Sequence, residues 1–165
     1  MNVQRLDHVV FAVQELEAAA RAWADTFGLE AEPVALPEGI PLELSALTVG
    51  APDGPGAFLE LASATAEESP IASHIEQWGE GMLSISLQVD DLDAAVRELR
   101  AKGVTVSDPA PGLLPHDRTR PEPGAARPRA QRRAVEGARP RAKRRVARID
   151  RASAFGVAVQ LIERA

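Results

Sequence analysis

An internal repeat constrains this 165-residue chain more than any other feature of its sequence. At an offset of 76 residues, Leu16 aligns with Leu92 within two similar helix-like segments. At an offset of 100 residues, 58–61 aligns with 158–161. Each half therefore predicts the same β-α-β-β-β module. Because neither half can bury both faces of its sheet alone, we expect the two modules to pack about a pseudo-twofold axis.

Local patterns place the helices and strands within each module. An apolar stripe with spacings of three and four residues predicts a helix over 15–27, and Ser69 followed by Pro70 predicts the start of a helix over 69–78. Period-two alternation predicts a strand over 83–89. The same reasoning predicts strands at 5–13, 30–36, 42–49, 56–63, 104–107, 145–150 and 156–163, a turn at 51–56 and a helix over 92–102. The predicted fold class is α+β, with tandem modules forming a curved eight-stranded mixed sheet around a cleft.

The repeat also predicts the domain organisation. We expect a single domain over 1–165, with module one at 4–63, a linker helix at 69–79 and module two at 82–163. The change of offset from 76 to 100 locates additional chain inside module two, and we assign it to an Arg/Pro/Ala-rich insert at 112–144.

The insert differs from the rest of the chain in charge and in apolar content. Residues 118–148 hold 12 basic and 2 acidic side chains, whereas the remainder carries a net charge of −15. Between Pro115 and Arg144 the one large aliphatic residue is Val135. Such a stretch cannot offset its ordering entropy by burial, so it predicts a disordered loop.

The sequence leaves three interpretations of the insert open. Clustered arginines bind polyanions, but without interleaved aromatic residues the stretch does not favour nucleic acid as a partner. The basic segment could instead fold back on the acidic body. It could also have no function, because an Arg/Pro/Ala/Gly composition is what a shifted reading frame of a GC-rich gene encodes.

Composition excludes several classes of protein. The chain has no cysteine, which excludes disulfide scaffolds and thiolate metal sites. It has no apolar run near the roughly 20 residues of a membrane span, and its first residues have no signal-peptide core. We therefore expect a cytoplasmic protein without a membrane partner.

Two polar residues interrupt strands that are otherwise apolar. They are His8 in the first strand and Glu60 in the last strand of module one, and their repeat equivalents are Ser84 and Gln160. Buried polar groups are costly unless paired, so such residues indicate a lined cavity. An imidazole nitrogen with a carboxylate oxygen suits a divalent Mn, Co, Ni or Zn ion.

Plainer interpretations apply to the same residue types. His8 could be a satisfied strand histidine rather than a ligand. His74 in the short linker helix is expected at the surface, and His116 in the insert is given no role. Trp23 and Phe27 are expected in the core rather than in a ligand platform.

Several motifs make this chain resemble the vicinal oxygen chelate superfamily, which includes glyoxalase I, extradiol dioxygenases, bleomycin-resistance-type binding proteins and methylmalonyl-CoA epimerase. The motifs are Leu-Asp-His-Val-Val-Phe-Ala-Val at 6–13, Leu-Glu at 16–17, Val-Asp-Asp-Leu at 89–92 and Gly-Val-Ala-Val-Gln-Leu at 156–161. Ser-Pro-Ile-Ala at 69–72, Gly-Glu-Gly at 79–81 and Leu-Pro-Glu-Gly at 36–39 are most similar to epimerase-like members.

The resemblance implies a metal site at the four repeat positions. His8 and Glu60 keep the superfamily's ligands, whereas Ser84 replaces a histidine and Gln160 replaces a glutamate. Gln160 still offers a carbonyl oxygen, so the implied metal ligands are His8, Glu60 and Gln160. The implied catalytic residues are Gln160, at the position of a carboxylate beside the reacting carbon, and Glu38 as the remaining candidate base.

The resemblance also implies an activity, namely metal-assisted proton abstraction next to the carbonyl of a small carbonyl compound or acyl-CoA. Such an enzyme would be an isomerase or lyase and would use divalent Co, Mn, Ni or Zn. The alternative is a metal-free, resistance-type binding protein. Both predict a small-molecule ligand in the cleft, and both are compatible with a homodimer.

Overall fold

A computed structural model describes residues 1–49, 57–112, 144–154 and 156–164 of the chain. Within these ranges, eight strands form one sheet in the order β2-β3-β4-β1-β5-β8-β7-β6. The strands are β1 (Val3–Ala12), β2 (Ala31–Pro33), β3 (Leu42–Val49), β4 (Ala57–Ala64), β5 (Gly81–Val89), β6 (Ala110–Pro111), β7 (Arg145–Ile149) and β8 (Ala158–Glu163). The helices are α1 (Leu16–Phe27), α2 (Pro70–Trp78) and α3 (Leu92–Ala101), with a short 3-10 turn at Arg151–Ala154. The predicted fold class is confirmed.

The strand order shows how the two modules meet. Module one contributes the strands β2-β3-β4-β1, and module two contributes the strands β5-β8-β7-β6. The first strands of the two modules, β1 and β5, are therefore neighbours at the centre of the sheet. The junction is the antiparallel pair β1–β5, in which Val9 lies opposite Ile85. These two residues are 76 positions apart, so the pseudo-twofold axis passes between them. Residues close to Val9 and Ile85 are therefore the ones that symmetry brings together.

The helices pack on opposite faces of the sheet because neighbouring strand residues point to opposite sides. Leu61 packs in the cluster that includes Trp23 of α1, whereas its neighbour Ala62 packs with Ile71 of α2. In module two, Leu92 of α3 packs with Leu161, the repeat equivalent of Leu61. Helices α1 and α3 thus share one face, and α2 covers part of the other.

Three predictions from the sequence were wrong. The strand expected at 104–107 is reduced to a single bridge between Val106 and Ile149, and β6 follows it instead. His74 is buried rather than at the surface, because α2 turns it toward Arg151. Phe27 is 64% exposed at the end of α1, although its ring lies against Trp23.

Two predicted segments fall largely outside the described residues. The turn predicted at 51–56 lies entirely outside them, as does 113–143 of the insert. The two end residues of the predicted insert are part of the described fold. The backbone N–H of Gly112 donates to the carbonyl of Arg144 at 2.9 Å, and Arg144 is buried.

Candidate functional site

The candidate site lies at the junction of the two modules, on the face of the sheet that α2 partly covers. In the strand register, Glu60 of β4 lies beside Val10 of β1, which lies opposite Ser84 of β5. In the adjacent row, His8 lies opposite Ser86, which lies beside Gln160 of β8. These two rows of paired positions place all four repeat-derived residues around the pseudo-twofold axis.

Four polar groups, three of them buried, converge at this junction. The Glu60 carboxylate Oε2 lies 3.7 Å from Nε2 of His8. Ser86 Oγ lies 2.9 Å from the same Nε2 and 3.3 Å from Oε1 of Gln160. His8, Glu60 and Ser86 are buried, and Gln160 is half-buried. The structure therefore brings together the three residues that the sequence predicted as metal ligands, with Ser86 between two of them.

Asp7 forms the other side of the site. Its Oδ2 accepts a hydrogen bond of 2.8 Å from Nδ1 of His8, and its Oδ1 contacts Arg164 and, at 3.5 Å, Arg5. Burial raises the pKa of Asp7, but the hydrogen bond from His8 and the charges of Arg164 and Arg144 lower it more strongly, to about 2. Asp7 is therefore an ionised carboxylate that accepts from His8 at neutral pH.

A bulge explains how Asp7 reaches its neighbour in the chain. Successive strand residues ordinarily point to opposite faces. The β1–β5 register shifts between Leu6 and His8, so Asp7 is an extra residue in β1. A second shift, between Val10 and Phe11, leaves Leu83 extra in β5, 76 positions from Asp7. Bulges of this kind re-aim a side chain.

Sequence reasoning missed Asp7 and Ser86. Ser86 is the repeat equivalent of Val10, so the comparison of the two modules gave no polar partner for it. Two signals were nevertheless available. The Asp-His pair in β1 places a carboxylate next to the candidate ligand, and the alternation of Ser84 with Ser86 in β5 puts both hydroxyls on the face of His8.

Glu38, the predicted base, lies elsewhere in the described structure. It is exposed in the turn that joins β2 to β3. The contacts described for the cluster around His8 do not include it. Its role as a base therefore stays a prediction from the resemblance.

The donor set fits a divalent ion in its chemistry. An imidazole nitrogen, a carboxylate oxygen and an amide oxygen are all donors for borderline first-row metals. Only two of the three are strong donors, and in the described parts of the chain no group of three or more His, Cys, Asp and Glu gathers to hold a metal. The set therefore suits a weakly held ion better than a tightly bound one.

A separate groove of about 490 Å³ lies at the other end of module one. It runs between α1 and the strands β2 and β3, with Leu16 and Leu44 in its apolar walls and Glu17 and Glu43 among its lining residues. None of its lining residues belongs to the cluster around His8. The groove is therefore a gap beneath α1 rather than part of the candidate site.

Comparison with known proteins supports the resemblance. A family model described as the glyoxalase/bleomycin resistance protein/dioxygenase superfamily matches residues 7–118. Mitochondrial methylmalonyl-CoA epimerase of Homo sapiens is 31% identical over 104 residues, covering 62% of this chain and 56% of that protein. The Bos taurus protein of the same name is 32% identical over 108 residues, covering 64% and 58%. The match thus spans little more than half the length of these curated relatives.

Solved structures show the same fold. Methylmalonyl-CoA epimerase from Mycobacterium tuberculosis superposes with a TM-score of 0.66 at 26% identity, covering 99% of this chain and 89% of that one. The Streptomyces coelicolor epimerase in complex with 2-nitronate-propionyl-CoA superposes with a TM-score of 0.71 at 23% identity, covering 99% of both chains.

None of the helices in the described ranges has both the length and the apolarity that crossing a membrane requires.

Proposed function

This chain belongs to the glyoxalase/bleomycin resistance protein/dioxygenase superfamily, and on that premise we propose that it is an epimerase-like enzyme acting on a small acyl-CoA. Its reaction would remove a proton from the carbon next to the thioester carbonyl and return it. The human and bovine relatives are named as methylmalonyl-CoA epimerases, which supports this substrate class.

The observation that carries the proposal is the cluster of His8, Glu60 and Gln160 at the module junction. Its three side chains come from three strands that belong to both modules. Two of these side chains, His8 and Glu60, are buried. A buried carboxylate beside an imidazole is costly to maintain for stability alone. Its position at the pseudo-twofold axis is the one that the sequence predicts for a ligand site.

A divalent ion, if bound, would be held by Nε2 of His8, the Glu60 carboxylate and the amide oxygen of Gln160. Such an ion supplies positive charge that stabilises negative charge developing on the substrate's carbonyl oxygen. The residues of the chain must do the rest. Because Gln160 is uncharged and cannot take up a proton, its amide orients the substrate or a ligand and does not act as the base.

Removing the proton from the α-carbon requires a general base, and a carboxylate can supply one. Glu38 is the base that the resemblance implies, and its turn would have to approach the bound acyl group. Glu60 is the carboxylate that already lies in the cluster, 3.7 Å from Nε2 of His8. A general base must lie within hydrogen-bond reach of the proton that it abstracts, so these two residues are the ones to separate by experiment.

Solvent exchange tests the proposal directly. The protein, loaded with Co²⁺, is incubated with methylmalonyl-CoA in ²H₂O, and deuterium entering the α-carbon is followed by mass spectrometry. We expect exchange above the enzyme-free rate and its loss in His8→Ala. A loss of at least a hundredfold in Glu38→Gln assigns the base to Glu38, and the same loss in Glu60→Gln with unchanged Co²⁺ content assigns it to Glu60. Glu76→Gln, an exposed change on α2, is the matched control. Exchange at the enzyme-free rate would contradict the proposal.

One observation favours a second candidate, a metal-free binding protein of the same fold. The Ser86 hydroxyl satisfies Nε2 of His8 without any metal. Under this alternative, acyl-CoA or another small organic ligand raises the melting temperature in the presence of a chelator, without deuterium exchange. Binding without exchange therefore selects the binding protein, and metal-dependent exchange selects the enzyme.

A further inference from the structure

We propose that Asp7 is a positioning residue, which fixes the tautomer and ring orientation of His8 so that Nε2 faces the candidate site. Asp7 is a residue that the repeat alone does not single out. Its positioning role stands on the hydrogen-bond geometry around His8, and only the metal-binding arm of the test rests on the proposed function.

The two ring nitrogens of His8 have different partners. Nδ1 lies 2.8 Å from Oδ2 of Asp7, and Nε2 lies 2.9 Å from Oγ of Ser86. An ionised carboxylate can only accept a hydrogen bond, so Nδ1 carries the hydrogen. Ser86 has one hydroxyl hydrogen to donate, and Nε2 of His8 at 2.9 Å is a nearer acceptor than Oε1 of Gln160 at 3.3 Å, so Nε2 can keep its lone pair and accept from Ser86. The lone pair then faces the Ser86 hydroxyl on the side of the ring where Oε2 of Glu60 lies 3.7 Å away, and a ligand or cation that displaces the hydroxyl would meet it there.

Asp7 is itself held on its second oxygen. Oδ1 contacts the guanidinium of Arg164, which follows β8, and lies 3.5 Å from that of Arg5 in β1. Guanidinium groups only donate, so this side of Asp7 requires an oxygen atom. The carboxylate therefore accepts on both sides, from His8 on one oxygen and from arginine on the other.

This two-sided requirement predicts an unusual consequence of the isosteric change Asp7→Asn. An asparagine has one oxygen and one NH₂ group, and the arginines favour the oxygen on their side. The NH₂ group would then face Nδ1 of His8 and donate to it. His8 would shift to the form with hydrogen on Nε2, which turns an N–H instead of a lone pair toward the site.

The bulge in β1 indicates that the contact between Asp7 and His8 is a specific feature of the fold. Without the extra residue, Asp7 would point to the opposite face of the sheet from His8. Asp7 is also almost completely buried. A buried carboxylate lowers stability unless it is well paired. The hydrogen bond from His8 and the contacts with the two arginines provide this pairing for Asp7.

The test uses the full chain with ¹⁵N-labelled histidine at neutral pH in the presence of a chelator. The ¹⁵N shifts of the two ring nitrogens identify which one carries hydrogen. We expect wild-type His8 to be protonated on Nδ1, Asp7→Asn to convert it to the Nε2 form, and Ser86→Ala to leave it on Nδ1. His8 is assigned by the loss of its signals in His8→Ala.

A second arm measures Co²⁺ affinity by absorption titration. Loss of an outer carboxylate typically weakens a histidine-ligated metal by 10- to 100-fold, so we expect about that loss in Asp7→Asn. The asparagine side chain nearly matches aspartate in size, and circular dichroism identifies variants that retain the fold.

The two arms separate the two proposals. Wild-type His8 protonated on Nε2 overturns the positioning role, whether or not Asp7→Asn folds. Conversion in Ser86→Ala but not in Asp7→Asn also overturns it, because Ser86 would then set the tautomer. Absence of Co²⁺ binding in the wild type contradicts the metal-assisted function but leaves the tautomer result, which supports or overturns the role of Asp7 by itself.

Discussion

The two modules share a plan but differ in how their helices are held. Helix α3 of module two has four buried residues, Leu92, Ala95, Val96 and Leu99, whereas α1 of module one has none. Leu16 and Leu92 are equivalent in the repeat, yet Leu16 is half-buried and Leu92 is fully buried. The groove of about 490 Å³ lies beside α1 and has Leu16 in its wall. The same apolar stripe can therefore produce a tight or a loose helix, depending on the strands below it.

The modules also differ in the chemistry that they bring to their junction. Module one supplies the ionisable groups Asp7, His8 and Glu60, whereas module two supplies the neutral groups Ser86 and Gln160 and is followed by Arg164, which contacts Asp7. Both sets are carried on equivalent strands. The repeat thus maintains the architecture in both halves, while the carboxylates and the imidazole of the site all come from module one.

The largest expected effect concerns the two equivalent leucines. Leu92→Ala leaves a cavity in a closed cluster and should lower the free energy of unfolding by about 2–5 kcal/mol. Leu16→Ala removes a half-buried side chain that already borders a groove, so its cost should be less than half as large. Urea unfolding followed by circular dichroism measures both. Equal costs would show that α1 is packed as tightly as α3.

The second prediction concerns a variant in which module two regains a nitrogen donor and a negative charge at the two repeat positions. The double variant Ser84→His with Gln160→Glu should raise the affinity for Zn²⁺ or Co²⁺ at least tenfold, because each change adds a strong donor at a symmetry-related position. Isothermal titration measures the affinity. Adding His8→Ala to the restored variant is the control and should remove the gain. Unchanged affinity in the double variant would mean that the repeat does not align Ser84 with His8.

The third prediction concerns the insert, which lies within module two and accounts for the additional chain that this module has relative to module one. Because Gly112 and Arg144 are joined by a backbone hydrogen bond, replacing 113–143 with a seven-residue Gly/Ser linker should preserve the fold. The loop becomes about four times shorter, which should stabilise the protein by roughly 1 kcal/mol through loop-closure entropy. Thermal unfolding at several salt concentrations measures the change.

The salt dependence of the variant's stability distinguishes an insert that is attracted to the acidic body from one that contributes to the core. The replacement removes nine basic and three acidic residues and changes the formal net charge from −5 to −11. Attraction between the insert and the acidic body would give a loss of stability at low salt that disappears at high salt. A large loss at every salt concentration would instead show that 113–143 contributes to the core.

The smallest expected effect concerns the contact between the linker helix and module two. Burial and the nearby charge of Arg151 lower the pKa of His74, and the Arg151 guanidinium donates to its Nδ1 at 3.1 Å. Below pH 6.5 the unfolded chain therefore takes up a proton at this residue more readily than the folded one, so stability should fall as the pH decreases. His74→Gln should reduce this dependence in unfolding experiments between pH 7 and 5. An identical pH profile in the variant would assign the effect to other groups.

Much of the architecture was determined by the sequence itself. The offset of 76 residues predicted two equivalent modules, and the positions of α1, α2, α3, β1, β3, β4, β5, β7 and β8 followed from periodicity and capping residues. The prediction that His8, Glu60 and Gln160 lie together followed from the same symmetry. These features depend on patterns that a chain carries locally or repeats, so they can be found without its tertiary contacts.

Other features were decided only by the tertiary structure. The bulge that turns Asp7 toward His8, the serine that lies opposite His8, and the burial of His74 all depend on the register of strands far apart in sequence. Leu16 and Leu92 have the same local pattern and different burial, because the strands beneath them differ. Sequence periodicity shows which residues share a face of an element, but long-range pairing determines what that face meets, and the site around His8 is assembled from such pairings.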